Sequence, residues 1–315
     1  MPAEKHIKNI DFVTGLRWVC IDATEQKQID WLKQNFAFNE LDLTDCLPSS
    51  QRPKLTEYDD YIFMILQFPH YSSATGEIEA SEIDFFIGRN FLITVHNNQL
   101  PPINELFRKY NAKKKKETGN HLGEHPAVLL YEILNDLLHY CFPILNHINQ
   151  DIDAVETRIF NIDHNKIDII REIMRIKHNI VYFRKAMQAH KSIIQKLINR
   201  SEKLFATHKL QVYYNNLVNH TKDIWDFLEN YKDTINALHE THESLVSQHL
   251  NQIIKTLTIF SVVVFPLTLF ASVFGMNTID SMPFINSPYG FWFIIAIMIL
   301  AMLGMISYFK HKKWI

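Results

Sequence analysis

The sequence predicts an α+β membrane protein, with an N-terminal cytoplasmic α/β domain and a long stalk helix that continues into the first of two C-terminal transmembrane helices. Three observations predict it. Strand-like and helix-like stretches alternate over the first hundred residues. From Pro126 to Lys255 there is no glycine, and the only later proline is Pro143. Residues 256–309 contain a single charge, Asp280. The expected divisions are 1–125 for the α/β domain, 126–255 for the long helices with the stalk, and 256–315 for the two spans, their short outer loop and a basic tail.

In the first division, Arg17–Ile21, Tyr61–Phe68 and Ile83–Val95 are rich in β-branched and aromatic residues and read as strands. Gly88–Asn90 reads as a hairpin turn. Thr24 is placed to cap a helix through Phe36, whose apolar residues Ile29, Leu32 and Phe36 have helical spacing. The mixture predicts an α/β domain. The run Lys113–Lys116 reads as a solvated loop. The N-terminus has no apolar run and hence no expected signal peptide. Cys20, Cys46 and Cys141 are far apart, which fits reduced thiols rather than a disulfide framework.

The second division reads as long antiparallel helices, with Ile169, Ile173, Ile176 and Ile180 followed by Tyr182, Met187 and Ile193–Ile194. The last helix starts near Thr207 and meets no breaker before Pro266. Sixty residues at a rise of 1.5 Å make a rod of about 90 Å.

In the third division, Thr256–Ile279 and Tyr289–Phe309 carry no charge. Each is long enough for a hydrocarbon core of about 30 Å, which takes roughly 20 helical residues. Lys310, Lys312 and Lys313 follow the second span, while the short loop near Asn277–Pro288 has no basic residue. The positive-inside rule places the tail, and with it the N-terminal domain, in the cytoplasm of a cell whose inner membrane holds the spans. Phe291, Trp292, Tyr308 and Trp314 suit the interfaces. The net charge of −2 gives no field for nucleic acid.

The first span ends in Phe274-Gly275-Met276-Asn277, and Gly-Met-Asn at the outer end of the first of two C-terminal spans resembles the CorA family. The resemblance extends to Arg52–Phe63 (RPKLTEYDDYIF), to Pro266-Leu267-Thr268 in mid-helix and to the tail Lys310–Trp314 (KHKKW). It implies a funnel-shaped homopentamer that passes divalent cations down its axis. Mg²⁺, and also Co²⁺ or Ni²⁺, are then the transported ions, with no cofactor and no enzymatic activity. The partners are further copies of the chain, the bilayer and the ions. A Zn²⁺-moving branch of the same fold is the alternative.

Two spans cannot enclose a pore, so a ring of subunits follows from geometry. Counting inward from Asn277 at helical spacing gives Ser272, Thr268, Phe265, Ser261, Leu257 and Ile254, and further down Asn251, Ser247, Ser244 and Glu240. This stripe collects hydroxyls, and the second span has only Ser307. Mg²⁺ dehydrates reluctantly, so Gly275, Met276 and Asn277 are expected to form a filter that holds the hydrated ion through the Asn277 amide oxygen. Gly275 is expected to turn the backbone there, or to cap the helix. Leu257 and Ile254 form an apolar constriction, and Glu240 concentrates cations.

The sequence departs from the family pattern at three places. Met282-Pro283-Phe284-Ile285 lacks the usual outer acid, leaving Asp280 alone. Phe265 stands where methionine is common. Asn216 and Asn219 stand where acidic ligands for a regulatory metal are common, so metal-dependent closing is expected to be weak.

Two histidine patterns compete. His121–His125 spells H-x-x-E-H, a zinc-peptidase pattern, but Gly123 and Pro126 oppose the helix that chemistry needs. His239, His242 and His249 offer a second metal set on the stalk. No nucleotide-binding GxxxxGK[ST] is present.

Overall fold

A computed structural model describes residues 6–47, 52–114, 125–160, 166–205, 210–276 and 288–314. The chain forms two compact units, Met1–His239 and Glu240–Ile315.

The first unit is built on a six-stranded sheet of β1 (Ile7–Asp11), β2 (Arg17–Ile21), β3 (Lys54–Glu57), β4 (Tyr61–Ser72), β5 (Glu77–Gly88) and β6 (Phe91–His96). The spatial order is β1-β2-β6-β5-β4-β3. Among the described strands, only the β2–β6 pair is parallel. Short helices α1 (Gln26–Asn35) and α2 (Glu40–Asp45) fall between β2 and β3. After β6 come α3 (Pro101–Lys114), α4 (Pro126–Phe160), α5 (Lys166–Met187), α6 (His190–Phe205) and α7 (Leu210–Phe274), and then α8 (Gly290–His311).

The apolar run of β4 is continuous rather than alternating, which is the pattern of a strand covered on both faces. Its residues divide by parity, as side chains of a strand must. Ile62, Met64, Leu66 and Phe68 join one core with residues of α3, α4 and α5. Tyr61, Phe63 and Ile65 join the other with Ile29 and Leu32 of α1 and Leu43 of α2. β2 splits likewise, Trp18 and Cys20 to the first core and Val19 and Ile21 to the second.

The β4–β5 turn is pinned by α5. Gly76 has φ +70, a left-handed backbone that suits glycine. Its carbonyl accepts from Arg175 Nη1 (3.1 Å) and Asn179 Nδ2 (2.9 Å), and Asn179 Oδ1 in turn accepts from the Ile78 N–H (2.9 Å). The buried Tyr214 of α7 donates to the Ala127 carbonyl of α4 (2.7 Å).

The strand expectations meet β2, the first eight residues of β4, and the β5–β6 hairpin. β1 and β3 were not foreseen; each lies at a sheet edge, and β3 is nowhere fully buried, so its pattern is weak. The Thr24 cap is corrected: the N-cap is Glu25, and its side chain makes no capping bond. Helix α3 runs through Lys114, so the basic run begins in a helix rather than a loop. Its Lys115 and Lys116 lie outside the described residues, as do His121 and Glu124. His125 accepts the Ala127 N–H at Nδ1 (3.3 Å) and so caps α4. All three cysteines are free and buried.

Among the described residues, three helices are long and apolar enough to cross a membrane, and α4 is one of them. Half of its apolar window is buried inside the protein. Leu130, Leu134, Leu137, Cys141, Ile144 and Ile148 give that stripe to the sheet core. The apolar windows of α7 and α8 are almost wholly uncovered.

Two buried histidines make the first unit acid-sensitive. His96 is buried where its Nδ1 accepts the Asn98 N–H (3.0 Å), and His190 is buried edge-on to Phe68. Burial pushes each down to about 4. The folded form therefore resists protonation that the unfolded chain accepts near pH 6.5, so stability is full above that pH and is lost as pH falls toward 4. The loss is on the order of 3 kcal/mol per histidine. Thermal unfolding of wild type and His190→Gln between pH 7 and 4 checks this, with a shallower acid slope expected for the variant.

Candidate ion path

The second unit holds the end of α7, helix α8 and the tail. On α7, Val263 is buried, and Lys255, Ile259 and Leu267 are partly covered at a spacing of four. On α8, Gly290 and Phe309 are buried, with Ile294, Met298 and Met305 partly covered. Each helix thus has one covered stripe. At about 100° per residue, Ile254, Leu257, Ser261, Phe265, Thr268 and Ser272 fall on the side of α7 opposite Val263. Phe265 is 70% exposed, Leu257 63% and Ile254 60%. Further down, Asn251, Ser247, Ser244 and Glu240 are exposed as well. The predicted stripe therefore falls on the face that α8 leaves open, except that Ser261 is partly covered.

The hydroxyls of this face have a defined polarity. Ser261 Oγ donates to the Leu257 carbonyl and Thr268 Oγ1 to that of Val264, both at 2.9 Å. Thr258, near the edge of this face, does the same to Ile254, and Thr256, on the Val263 side, to Gln252. A hydroxyl has one donor and two acceptor sites, so these oxygens keep only acceptors to offer. The waters of a hydrated cation point their hydrogens outward and need acceptors. Bonding back to the helix and serving the ion's shell are therefore compatible here. Pro266 lacks an N–H and leaves the Val262 carbonyl without its helical partner.

At the outer end, the Gly275 N–H donates to the Ala271 carbonyl (2.9 Å) and the Met276 N–H to that of Val273 (3.3 Å). Gly275 follows directly on Phe274, the last residue of α7, in a turn, and its backbone is not left-handed. Glycine is favoured there by space: a Cβ would lie 3.0 Å from the Ala271 oxygen. Asn277 and Asp280 lie outside the described residues.

In the first unit, Asn216 and Asn219 are exposed on α7. Beside them, His220 stands 4.9 Å from the ring of His139 on α4, a pair that no local spacing in the sequence reveals. Burial and the neighbouring His139 hold His220 below its usual range. Among the described residues, no three His, Cys, Asp or Glu side chains are grouped to hold a metal, so His239, His242 and His249 form no such set.

A family model described as CorA-like Mg²⁺ transporter protein matches residues 14–311. The chain belongs to this family. CorA proteins are ion transporters rather than enzymes, and the two uncovered apolar helices are those of a membrane protein. The cobalt/magnesium transport protein CorA of Thermotoga maritima is 25% identical over 280 residues, covering 89% of this chain and 78% of that relative. The structure of the CorA magnesium transporter from Methanocaldococcus jannaschii matches with a TM-score of 0.83 at 21% identity, covering 95% of this chain and 92% of the other. The ZntB cytoplasmic domain from Vibrio parahaemolyticus matches at a TM-score of 0.57 and 18% identity, covering 74% of this chain and 88% of that one.

If Leu257 and Ile254 form the apolar constriction, a hydroxyl at either lowers the cost of wetting it. Leu257→Ser and Ile254→Ser are each expected to raise passive Mg²⁺ leak from preloaded proteoliposomes by roughly tenfold. Unchanged leak in both variants places the constriction elsewhere.

Proposed function

We propose that the chain is one subunit of a homopentameric channel that passes Mg²⁺, and also Co²⁺ or Ni²⁺, down its electrochemical gradient. The observation that carries the reading is the largely open face of α7, where Ser261 and Thr268 keep only acceptors to offer and which two helices cannot cover by themselves. Polar groups inside a bilayer face protein or water. A ring of α7 helices meets that need, with Thr268, Phe265, Ser261, Leu257, Ile254, Asn251 and Glu240 lining the axis. Gly275, Met276 and Asn277 form the filter, where five amide oxygens hold a hydrated ion. The membrane potential supplies about 4.6 kcal/mol per divalent ion at 100 mV, so no nucleotide is needed. Both termini lie in the cytoplasm and the spans in the cell (inner) membrane, in keeping with Lys310, Lys312 and Lys313. In this reading 1–125 is the cytoplasmic α/β domain, 126–255 the long cytoplasmic helices with the stalk, and 256–315 the membrane part.

Zn²⁺ is the alternative ion, and likeness to the ZntB cytoplasmic domain keeps it open, because the soluble fold does not choose the ion. Uptake of Mg²⁺, Co²⁺, Ni²⁺ and Zn²⁺ by proteoliposomes decides between them. Asn277→Ala is expected to cut Mg²⁺ uptake at least tenfold, roughly the value of one lost hydrogen-bonding ring, without changing assembly size. Wild-type uptake in that variant removes Asn277 from the filter.

Regulation follows from Asn216 and Asn219. A hard divalent ion prefers carboxylates, which compensate its charge as well as fill its shell. With amides at both positions, internal Mg²⁺ closes the channel weakly. The double variant Asn216→Asp, Asn219→Asp is expected to close at several-fold lower internal Mg²⁺, measured as flux against internal concentration. Tight closure of the wild type at low millimolar Mg²⁺, a threshold set by flux, assigns the regulatory ion to other ligands.

A further inference from the structure

The end of α8 is a built turn. The Lys312 N–H donates to Tyr308 O (3.0 Å), that of Lys313 to Lys310 O (3.1 Å) and that of Trp314 to Phe309 O (2.9 Å). Lys313 has φ +57, in the left-handed region. A left-handed residue followed by an N–H that reaches back five residues is the Schellman cap, here made without glycine. The turn folds Trp314 onto Phe309, with ring centroids 5.7 Å apart and planes at 26°.

The same turn presents the Lys313 carbonyl to α7. Lys255 Nζ donates to it at 3.2 Å and stands 5.9 Å from the Trp314 ring. Lys255 is thereby held against the backbone of the turn that carries Lys310, Lys312 and Lys313, although it precedes Lys313 by 58 residues in sequence. The bond to the carbonyl uses one of the three ammonium donors of Lys255. Lys310, Lys312 and Lys313 are exposed. On α7 the first acid before Lys255 is Glu243, about 18 Å down the helix, roughly two Debye lengths at physiological salt.

We propose that this cluster binds the phosphate of an anionic phospholipid headgroup, an inference that rests on the membrane-spanning reading above. Its depth argues for a lipid source. The cluster begins where the uncharged stretch of α8 ends, and it is flanked by Tyr308, 59% exposed, and Trp314, 44% exposed. Amphipathic rings favour the headgroup level, and basic residues there gain from an anionic leaflet. The cap holds the basic residues in place before a lipid arrives, and Lys255 ties the site to the helix that carries the proposed pore face.

The test is native mass spectrometry of the full chain in detergent, offered equal phosphatidylglycerol and phosphatidylcholine. Selective retention of phosphatidylglycerol is expected. Lys312→Gln with Lys313→Gln is expected to weaken that retention about thirtyfold, at unchanged helicity by circular dichroism. Equal retention of both lipids, or no loss in the double variant, overturns the proposal. Full displacement of the lipid by inorganic phosphate makes it a plain anion site and also overturns it. Flotation with liposomes separates the two readings. A chain that does not float sinks the membrane-spanning reading and this inference together, whereas one that floats without lipid preference sinks this inference alone.

Discussion

Hydrocarbon offers no hydrogen-bond partners, so every donor carried into it must be satisfied by the helix that carries it or by a neighbour. In α7 the helix meets much of that demand itself. Thr256, Thr258, Ser261 and Thr268 each give their proton to the carbonyl four residues back. On the face opposite Val263 this leaves the acceptor oxygens of Ser261 and Thr268 beside exposed apolar side chains. Helix α8 has only one covered stripe to give, and it is spent on the other side. The chain therefore presents an open polar face at membrane depth, and the proposed ring assembly follows from that demand.

The acceptor-only character also bears on the ion. A bare cation wants oxygen ligands, but a hydrated one presents hydrogens, and stripping the water from Mg²⁺ is costly. Hydroxyls whose protons point into the helix suit the hydrated form. Leu257 and Ile254, nearer the basic end, offer nothing to either form and suit a barrier.

The first unit solves the opposite problem with similar material. Helix α4 is apolar enough for a membrane, yet it lies on a sheet whose strands need cover on both faces. The distinction between α4 and α8 is thus one of partners. One has β4, β5 and α5 to bury its stripe, and the other has a single helix.

Much was legible in the chain itself. The absence of charge over 256–279 and 289–309 set the two spans. The lack of breakers before Pro266 set the continuous α7, and the apolar runs at 17–21, 61–68 and 83–95 set the central strands. These are local signals, since hydropathy, periodicity and missing glycine act within a few turns of backbone. The edge strands β1 and β3, the cap at Glu25 and the helical start of the lysine run were not legible, because at an edge or an end the local pattern is weak and tertiary contacts decide. The His139–His220 pair and the meeting of Lys255 with Lys313 and Trp314 needed the tertiary structure outright. Residues far apart in sequence carry no mutual signal, and only the packing of one helix against another brings them together. The sequence by itself thus determined which helices enter the membrane and which residues share a face of α7. Only the tertiary structure decided which face stays open, because that depends on where α8 spends its one buried stripe.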